Sequence, residues 1–250
     1  MDTAREQTQL RNGMVEMRTI VIGDVHGCYN ELKEMILTLE TEGEYKKGID
    51  KLVFLGDYID RGDDSRLVIG FIRKLQEEND NVIALMGNHE DMLLNYLYDD
   101  NDDWLWNGYR STMDSYEGFD NQFKRDVQWI KTLPLYHEDE YCIYVHAGID
   151  PYKPMEEQDR YNLLWVREPF IYNRKKYHKR VVFGHTPTAN LSEEWKPVRT
   201  YANNIDIDTG CVYGGALTAL IIDDGETNGF YQIHKGEVNN NEEENNKINV

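Results

Sequence analysis

Apolar residues follow two rhythms along this chain. Ile20-Val-Ile22, Leu52-Val-Phe-Leu55, Val82-Ile-Ala-Leu-Met86, Ile143-Tyr-Val145 and Val181-Val-Phe183 are short and apolar at every position. Runs of that length suit strands whose two faces are both covered, as in a buried parallel sheet. Between the first three runs the rhythm becomes helical. Leu32, Met35, Ile36 and Leu39 fall at i, i+3, i+4 and i+7, and Leu67, Val68, Phe71, Ile72 and Leu75 repeat the pattern. Met92, Leu93, Tyr96 and Leu97 make a shorter stripe, and the aromatic and polar stretch from Trp104 to Trp129 predicts a helical cap on the sheet. Ile205–Asp208 and Ala216–Ile222 predict late strands. Strands alternating with helices early, and strand-rich sequence later, predict an α/β sandwich of two packed sheets flanked by helices.

The five runs share a second property, because each delivers ligand-type residues just past its end. Gly56-Asp-Tyr-Ile-Asp-Arg-Gly62 follows the second run, Asp24-Val-His-Gly27 the first and Asn88-His-Glu90 the third. His146-Ala-Gly148 follows the fourth and His185 the fifth. The carboxyl edge of an open α/β sheet is where loops converge on a crevice and ligands bind. One Gly-Asp is an ordinary turn; five such endings in one domain describe a site. Carboxylates, imidazoles and an amide oxygen suit divalent ions such as Mn²⁺, Fe²⁺ or Zn²⁺, and no thiolates are spaced for a structural zinc knot.

This ordered set resembles the metallophosphoesterases and, within them, the phosphoprotein phosphatase family with its small bacterial and phage enzymes such as lambda phosphatase. Gly-Asp-Tyr-Ile-Asp-Arg-Gly and Gly-Asn-His-Glu carry most of the match, which runs from about Arg18 to Ile222. The resemblance implies the calcineurin-like fold, two mixed β-sheets flanked by helices, and a two-metal centre, with Mn²⁺ the first choice. It implies Asp24 and His26 as ligands of one ion, Asn88, His146 and His185 as ligands of the other, and Asp57 as the bridge. Two such ions share a water, lower its pKa and clamp the phosphoryl oxygens, so the water attacks directly without a phosphoenzyme. Arg61 and, in Trp165-Val-Arg167-Glu168, Arg167 resemble the family's phosphate clamps, suited by guanidinium geometry to bidentate contact. His89 resembles the general acid, with Asp60 holding its ring and favouring the imidazolium. Asp208-Thr-Gly-Cys-Val-Tyr-Gly-Gly215 resembles a substrate-rim loop with Tyr213 near the site, and Trp104–Gly108 resembles a segment of the bacterial enzymes.

Composition narrows the picture. The chain has 250 residues with no Pro/Ser/Gly-rich linker, so one catalytic domain over 18–236 is expected, between a polar segment 1–17 and an acidic tail 237–250 expected to be disordered. A net charge of -19 argues against nucleic acid as a partner, and the positive field for a phosphate must come from metals and a few arginines. Three cysteines, Cys28, Cys142 and Cys211, with no Cys-x-x-Cys, indicate a reducing compartment and small core or loop residues. With no signal peptide and no apolar span, a soluble cytoplasmic protein without a membrane partner is expected. The acidic run Asp99–Asp103 lacks the glycine and terminal glutamate of an EF-hand and reads as a solvated helix end, and the basic run Arg174–Arg180 as a solvated face on the edge of the sheet opposite His185.

The expected activity is metal-dependent hydrolysis of phosphomonoesters, with phosphoserine and phosphothreonine in proteins as the substrates. The alternative is a symmetrical hydrolase of dinucleoside tetraphosphates or of a related small phosphate ester. A catalytically dead phosphate-binding module is disfavoured because every ligand and His89 are present. The extended carboxyl-terminal region of eukaryotic members is absent, so no regulatory subunit is implied.

Overall fold

The computed structural model describes residues 17–116 and 118–237. The segment 1–17 and the tail 237–250 therefore lie outside the described residues, apart from Met17 and Glu237. Two five-stranded sheets pack face to face. The first has the order β10-β9-β1-β2-β3, from β1 (Thr19–Ile22), β2 (Lys51–Phe54), β3 (Val82–Ala84), β9 (Ala216–Asp223) and β10 (Glu226–His234). Here β1, β2 and β3 are parallel, and β9 and β10 join antiparallel. The second has the order β4-β5-β6-β8-β7, from β4 (Tyr136–Glu138), β5 (Cys142–Val145), β6 (Arg180–Phe183), β7 (Val198–Arg199) and β8 (Ile205–Asp206). Its β5, β6 and β8 are parallel, with β4 and β7 antiparallel at the edges. Both sheets are mixed, as the expected sandwich requires.

The continuous apolar runs are explained by three apolar interfaces between four packed layers. Val21, Val53, Leu55 and Leu85 point inward against Tyr144, Val182, Ile205 and Ile207 of the other sheet. Their strand neighbours Ile20, Ile22, Leu52 and Phe54 point outward, where α1 (Tyr29–Thr41), α2 (Ser65–Glu78), α3 (Asn88–Tyr98) and α5 (Asn121–Ile130) cover them. On the far side, Ile143, Val145, Val181 and Phe183 are covered by α6 (Arg160–Trp165) and α7 (Glu168–Ile171). With alternate side chains buried on opposite faces, the central runs Ile20–Ile22 and Leu52–Phe54 are apolar at every position.

The helical stripes fall largely as expected. Leu32, Met35, Ile36 and Leu39 are the buried stripe of α1. In α2 the buried positions are Val68, Ile69, Ile72 and Leu75, whereas Leu67 is 47% exposed. The Trp104–Trp129 stretch forms a 3-10 turn (Asp103–Trp106), α4 (Tyr109–Ser115) and α5. The acidic run lies between the end of α3 and that turn, and the basic run leads into Arg180 at the start of β6, with Lys179 paired to Glu138 and Arg180 to Glu226. No helix among the described residues is long and apolar enough to cross a membrane.

Candidate active site

The carboxyl ends of the parallel strands of both sheets meet at one edge, bringing five separate loops together. Asp24 and His26 follow β1, Asp57, Asp60 and Arg61 follow β2, and Asn88 and His89 open α3 just after β3. From the second sheet come His146 after β5 and His185 after β6, while Arg167 sits between α6 and α7. These loops are bent sharply. Eight described non-glycine residues have positive φ, and five of them are His26, Asp57, Asp60, Arg61 and His185. Left-handed backbone costs an L-residue about 1–3 kcal/mol, persists only where its surroundings over-determine it, and clusters at functional sites.

Glu90 supplies much of that surrounding constraint for Asp57. Its buried carboxylate accepts the N–H groups of Asp57 at 2.9 Å, Tyr58 at 2.8 Å and Gly87 at 2.9 Å, clamping the β2 loop to the first turn of α3. Burial first, and the nearby Asp57 second, push Glu90 up to about 8. A Cβ on Gly87 would come within 2.2 Å of Asp57 Oδ1, so the glycine of Gly-Asn-His-Glu makes room for that carboxylate.

Asp57 lies at the middle of the constellation. Its Oδ2 is 3.2 Å from His26 Nε2, its Oδ1 is 3.5 Å from His146 Nε2, and it accepts the His89 N–H at 3.0 Å. Burial alone would raise its pKa, but the imidazoles of His146, His89 and His26 hold it well below the usual carboxylate range. Asn88 Oδ1 contacts His146 Nε2 at 2.9 Å and His185 Nδ1 at 2.8 Å, tying the first sheet to the second. Burial pulls His146 down to about 4 and His185 well down, which favours the neutral, ligating form of both rings. Asp24 accepts the His185 backbone N–H at 3.1 Å, and burial followed by the charges of Asp208 and Asp57 pushes its carboxyl well up.

Two groups of three residues, His26–Asp57–His89 and Asp57–His146–His185, each bring their ligand atoms within 4.8 Å of one another. Asp57 is common to both. Oxygen and imidazole donors and a buried His185 Nε2 without a protein hydrogen bond fit divalent cations.

His89 is positioned differently from the other rings. Its Nδ1 is 2.7 Å from Asp60 Oδ2, while its Nε2 is buried without a protein hydrogen bond. Asp60 is itself fixed by Trp104 Nε1 at 2.9 Å and by the Thr112 hydroxyl at 2.6 Å, and its own N–H donates to Thr112 Oγ1 at 2.9 Å. The Asp60–His89 contact is as expected, but the net direction is not. Burial lowers the His89 pKa by more than Asp57 and Asp60 raise it. Arg61 reaches His26 Nε2, with its guanidinium 5.4 Å from the Tyr213 ring centre. Arg167 donates to the His185 carbonyl at 3.0 Å and to Thr186 Oγ1 at 3.2 Å. One arginine thus stands beside each end of the imidazole row. Glu90 and Thr112 were not singled out from the sequence. Glu90 adjoins His89 in its motif and could have been found there, whereas Thr112 carries no local signal.

Comparison with known proteins agrees with this geometry. A family model described as calcineurin-like phosphoesterase matches residues 17–215. The chain is 30% identical over 234 residues to the bis(5'-nucleosyl)-tetraphosphatase PrpE [asymmetrical] of Anoxybacillus flavithermus, covering 83% of this chain and 91% of that one. It is also 30% identical over 207 residues to serine/threonine-protein phosphatase 1 of Salmonella typhimurium, covering 79% and 88%. A crystal structure provisionally described as a diadenosine tetraphosphatase superposes with TM-score 0.67 at 22% identity, covering 89% of this chain and 96% of that one. The model match over most of the described chain, together with the ligand groups at the shared sheet edge, shows that this protein belongs to the calcineurin-like phosphoesterases.

Proposed function

We propose that this hydrolase acts on phosphomonoesters, with phosphoserine and phosphothreonine in proteins as its substrate class, in the cytoplasm. The observation that carries the reading is the His89 ring, with Nδ1 held by Asp60 and a buried, unbonded Nε2 facing the Asp57 side of the site. A serine or threonine alkoxide is a poor leaving group until protonated, so a dedicated donor suits an alkyl ester. A nucleotide phosphate leaving from an anhydride needs that proton far less.

Asp24 and His26 would hold one divalent ion and Asn88, His146 and His185 the other, with Asp57 reaching both. When bound, such ions supply positive charge for the phosphoryl oxygens and lower the pKa of the attacking water. Arg61 and Arg167 close on the terminal phosphoryl group from the two ends of the site and orient it for in-line attack. The protonated His89 ring would give its Nε2 proton to the departing oxygen, with Asp60 keeping the ring aligned and the Asp57 and Asp60 carboxylates opposing the lowering of its pKa by burial.

A second reading, hydrolysis of a dinucleoside tetraphosphate, is favoured by the tetraphosphatase relatives and by exposed aromatics beside Arg61. Tyr213 is 53% exposed under the Arg61 guanidinium, and Trp106 is 85% exposed between Trp104 and Gly108, which pack on Asp60 and Arg61. Such rings could stack a nucleobase. The test is kcat/KM for a phosphothreonine peptide against diadenosine tetraphosphate with Mn²⁺ supplied. The peptide is expected to be the better substrate. More efficient cleavage of the dinucleotide would replace the first reading with the second, and ATP plus AMP as products would mark the cut as asymmetrical.

A further inference from the structure

Outside the site, one cluster of reactive side chains has no part in the hydrolysis. Cys28 immediately precedes α1, and Cys211 opens the 3-10 turn Cys211–Tyr213 between β8 and β9. Both are buried, and their sulfurs lie with a Glu31 carboxylate oxygen inside a 4.8 Å group. Two thiols and a carboxylate are a donor set for a soft metal, but a cation is already there. Lys235 Nζ is 3.1 Å from Glu31 Oε1 and 3.6 Å from Cys28 Sγ. A metal would have to displace or face that ammonium. A bond between the two sulfurs leaves the Lys235–Glu31 pair intact.

We propose that Cys28 and Cys211 form a reversible disulfide when the protein meets a peroxide. The step is a two-electron oxidation. One thiol sulfur takes an oxygen from hydrogen peroxide: the S–O bond forms, the O–O bond breaks and a first water leaves with the thiol hydrogen. The second sulfur then displaces that oxygen: the S–S bond forms, the S–O bond breaks and a second water leaves. Just past the end of β10 the Lys235 side chain, 40% exposed, and Gly236 cover Glu31 beside the two thiols. Disulfides in a reducing compartment are characteristically transient and regulatory.

The crosslink joins two loops that meet at Arg61. A disulfide needs an S–S distance near 2.05 Å, so the loops must draw together. Gly27, next to Cys28, packs so closely on Gly62 that an added Cβ would lie 2.6 Å from the Gly62 carbonyl oxygen. Movement at Cys28 therefore passes to His26 and to the Arg61–Gly62 backbone, while movement at Cys211 shifts Tyr213 on the other side of Arg61. The expected consequence is loss of hydrolysis on oxidation. That consequence rests on the functional reading above; the crosslink itself does not.

The test treats the whole protein with hydrogen peroxide, quenches it, and counts free thiols in denaturant. Three thiols should fall to one, Cys142, and proteolysis should yield a linked Cys28–Cys211 peptide about 2 Da lighter than its two parts. Dithiothreitol should restore all three thiols. Turnover of p-nitrophenyl phosphate should fall at least about tenfold on oxidation and return with the thiols. Cys28→Ala and Cys211→Ala should each abolish the linked peptide and the reversible loss, and Cys142→Ala should keep both. Absence of the linked peptide from the wild-type protein overturns the proposal, whichever variants fold. Equal reversible inactivation of Cys28→Ala overturns it too, by placing the oxidation elsewhere. A protein that forms the crosslink but hydrolyses no phosphate ester fails the functional reading alone.

Discussion

Glu90 and Asp60 are two buried side chains whose hydrogen bonds all run to other protein groups around the candidate site. Each spends its lone pairs on groups that fix a more reactive neighbour: Glu90 on the backbone around Asp57, Asp60 on the His89 ring. Losing such a partner leaves buried donors unsatisfied and the neighbour free to move. The residue-scale prediction concerns the proton donor. His89→Asn should lower kcat on a phosphoserine peptide by roughly 10²–10⁴, as expected for removal of a positioned acid. On p-nitrophenyl phosphate, whose leaving group needs no proton, the loss should be clearly smaller. Equal losses on both substrates would assign His89 to metal binding, as its place in the His26–Asp57–His89 group permits.

At the scale of the element, helix packing is held by polar pins as well as apolar stripes. Asp126 of α5 is 1% exposed, and it accepts from the Tyr116 hydroxyl at 2.9 Å, from Gln122 Nε2 at 2.9 Å and from Arg73 of α2. It ties α5 to α2 and to Tyr116 just past α4, within the cap that also carries Trp104 and Thr112 to Asp60. Asp126→Ala should destabilise the fold by roughly 2–3 kcal/mol, below the full value for a broken buried pair because Arg73 is partly exposed. Denaturant unfolding measures this directly. A change under about 0.5 kcal/mol would mean that water replaces all three partners.

For the whole molecule, the two sheets bring candidate ligands from opposite sides, so cations bound as proposed should act as a clasp between them. Adding Mn²⁺ to chelator-treated protein at about 100 times its Kd should stabilise the native state by about 2.7 kcal/mol. For a chain of this size that is a Tm increase of roughly 5–11 °C. Asp57→Asn, which weakens the residue common to both ligand groups, should remove most of the increase while leaving the metal-free Tm nearly unchanged. Metal analysis should give two ions per active chain at saturation, and one ion in a fully active protein would reject the paired site.

The sequence by itself determined the layers and marked the candidate site loops, because both are written in local order. A strand covered on two faces must be apolar at every position, and a motif that turns at a strand's end carries its own glycines and acids; Ile20–Ile22 and Gly56–Gly62 are legible on that ground alone. Only the tertiary structure decided which loops meet. Asn88 touches His146 and His185, 58 and 97 residues away, because the carboxyl ends of two separate sheets face one crevice. Thr112 reaches Asp60 across 52 residues, and Cys28 reaches Cys211 across most of the chain, through packing that no local pattern records. The direction of the His89 pKa also belongs to the fold. Its neighbour Asp60 could be read from the motif, but the burial that outweighs it arises only when the cap closes over both.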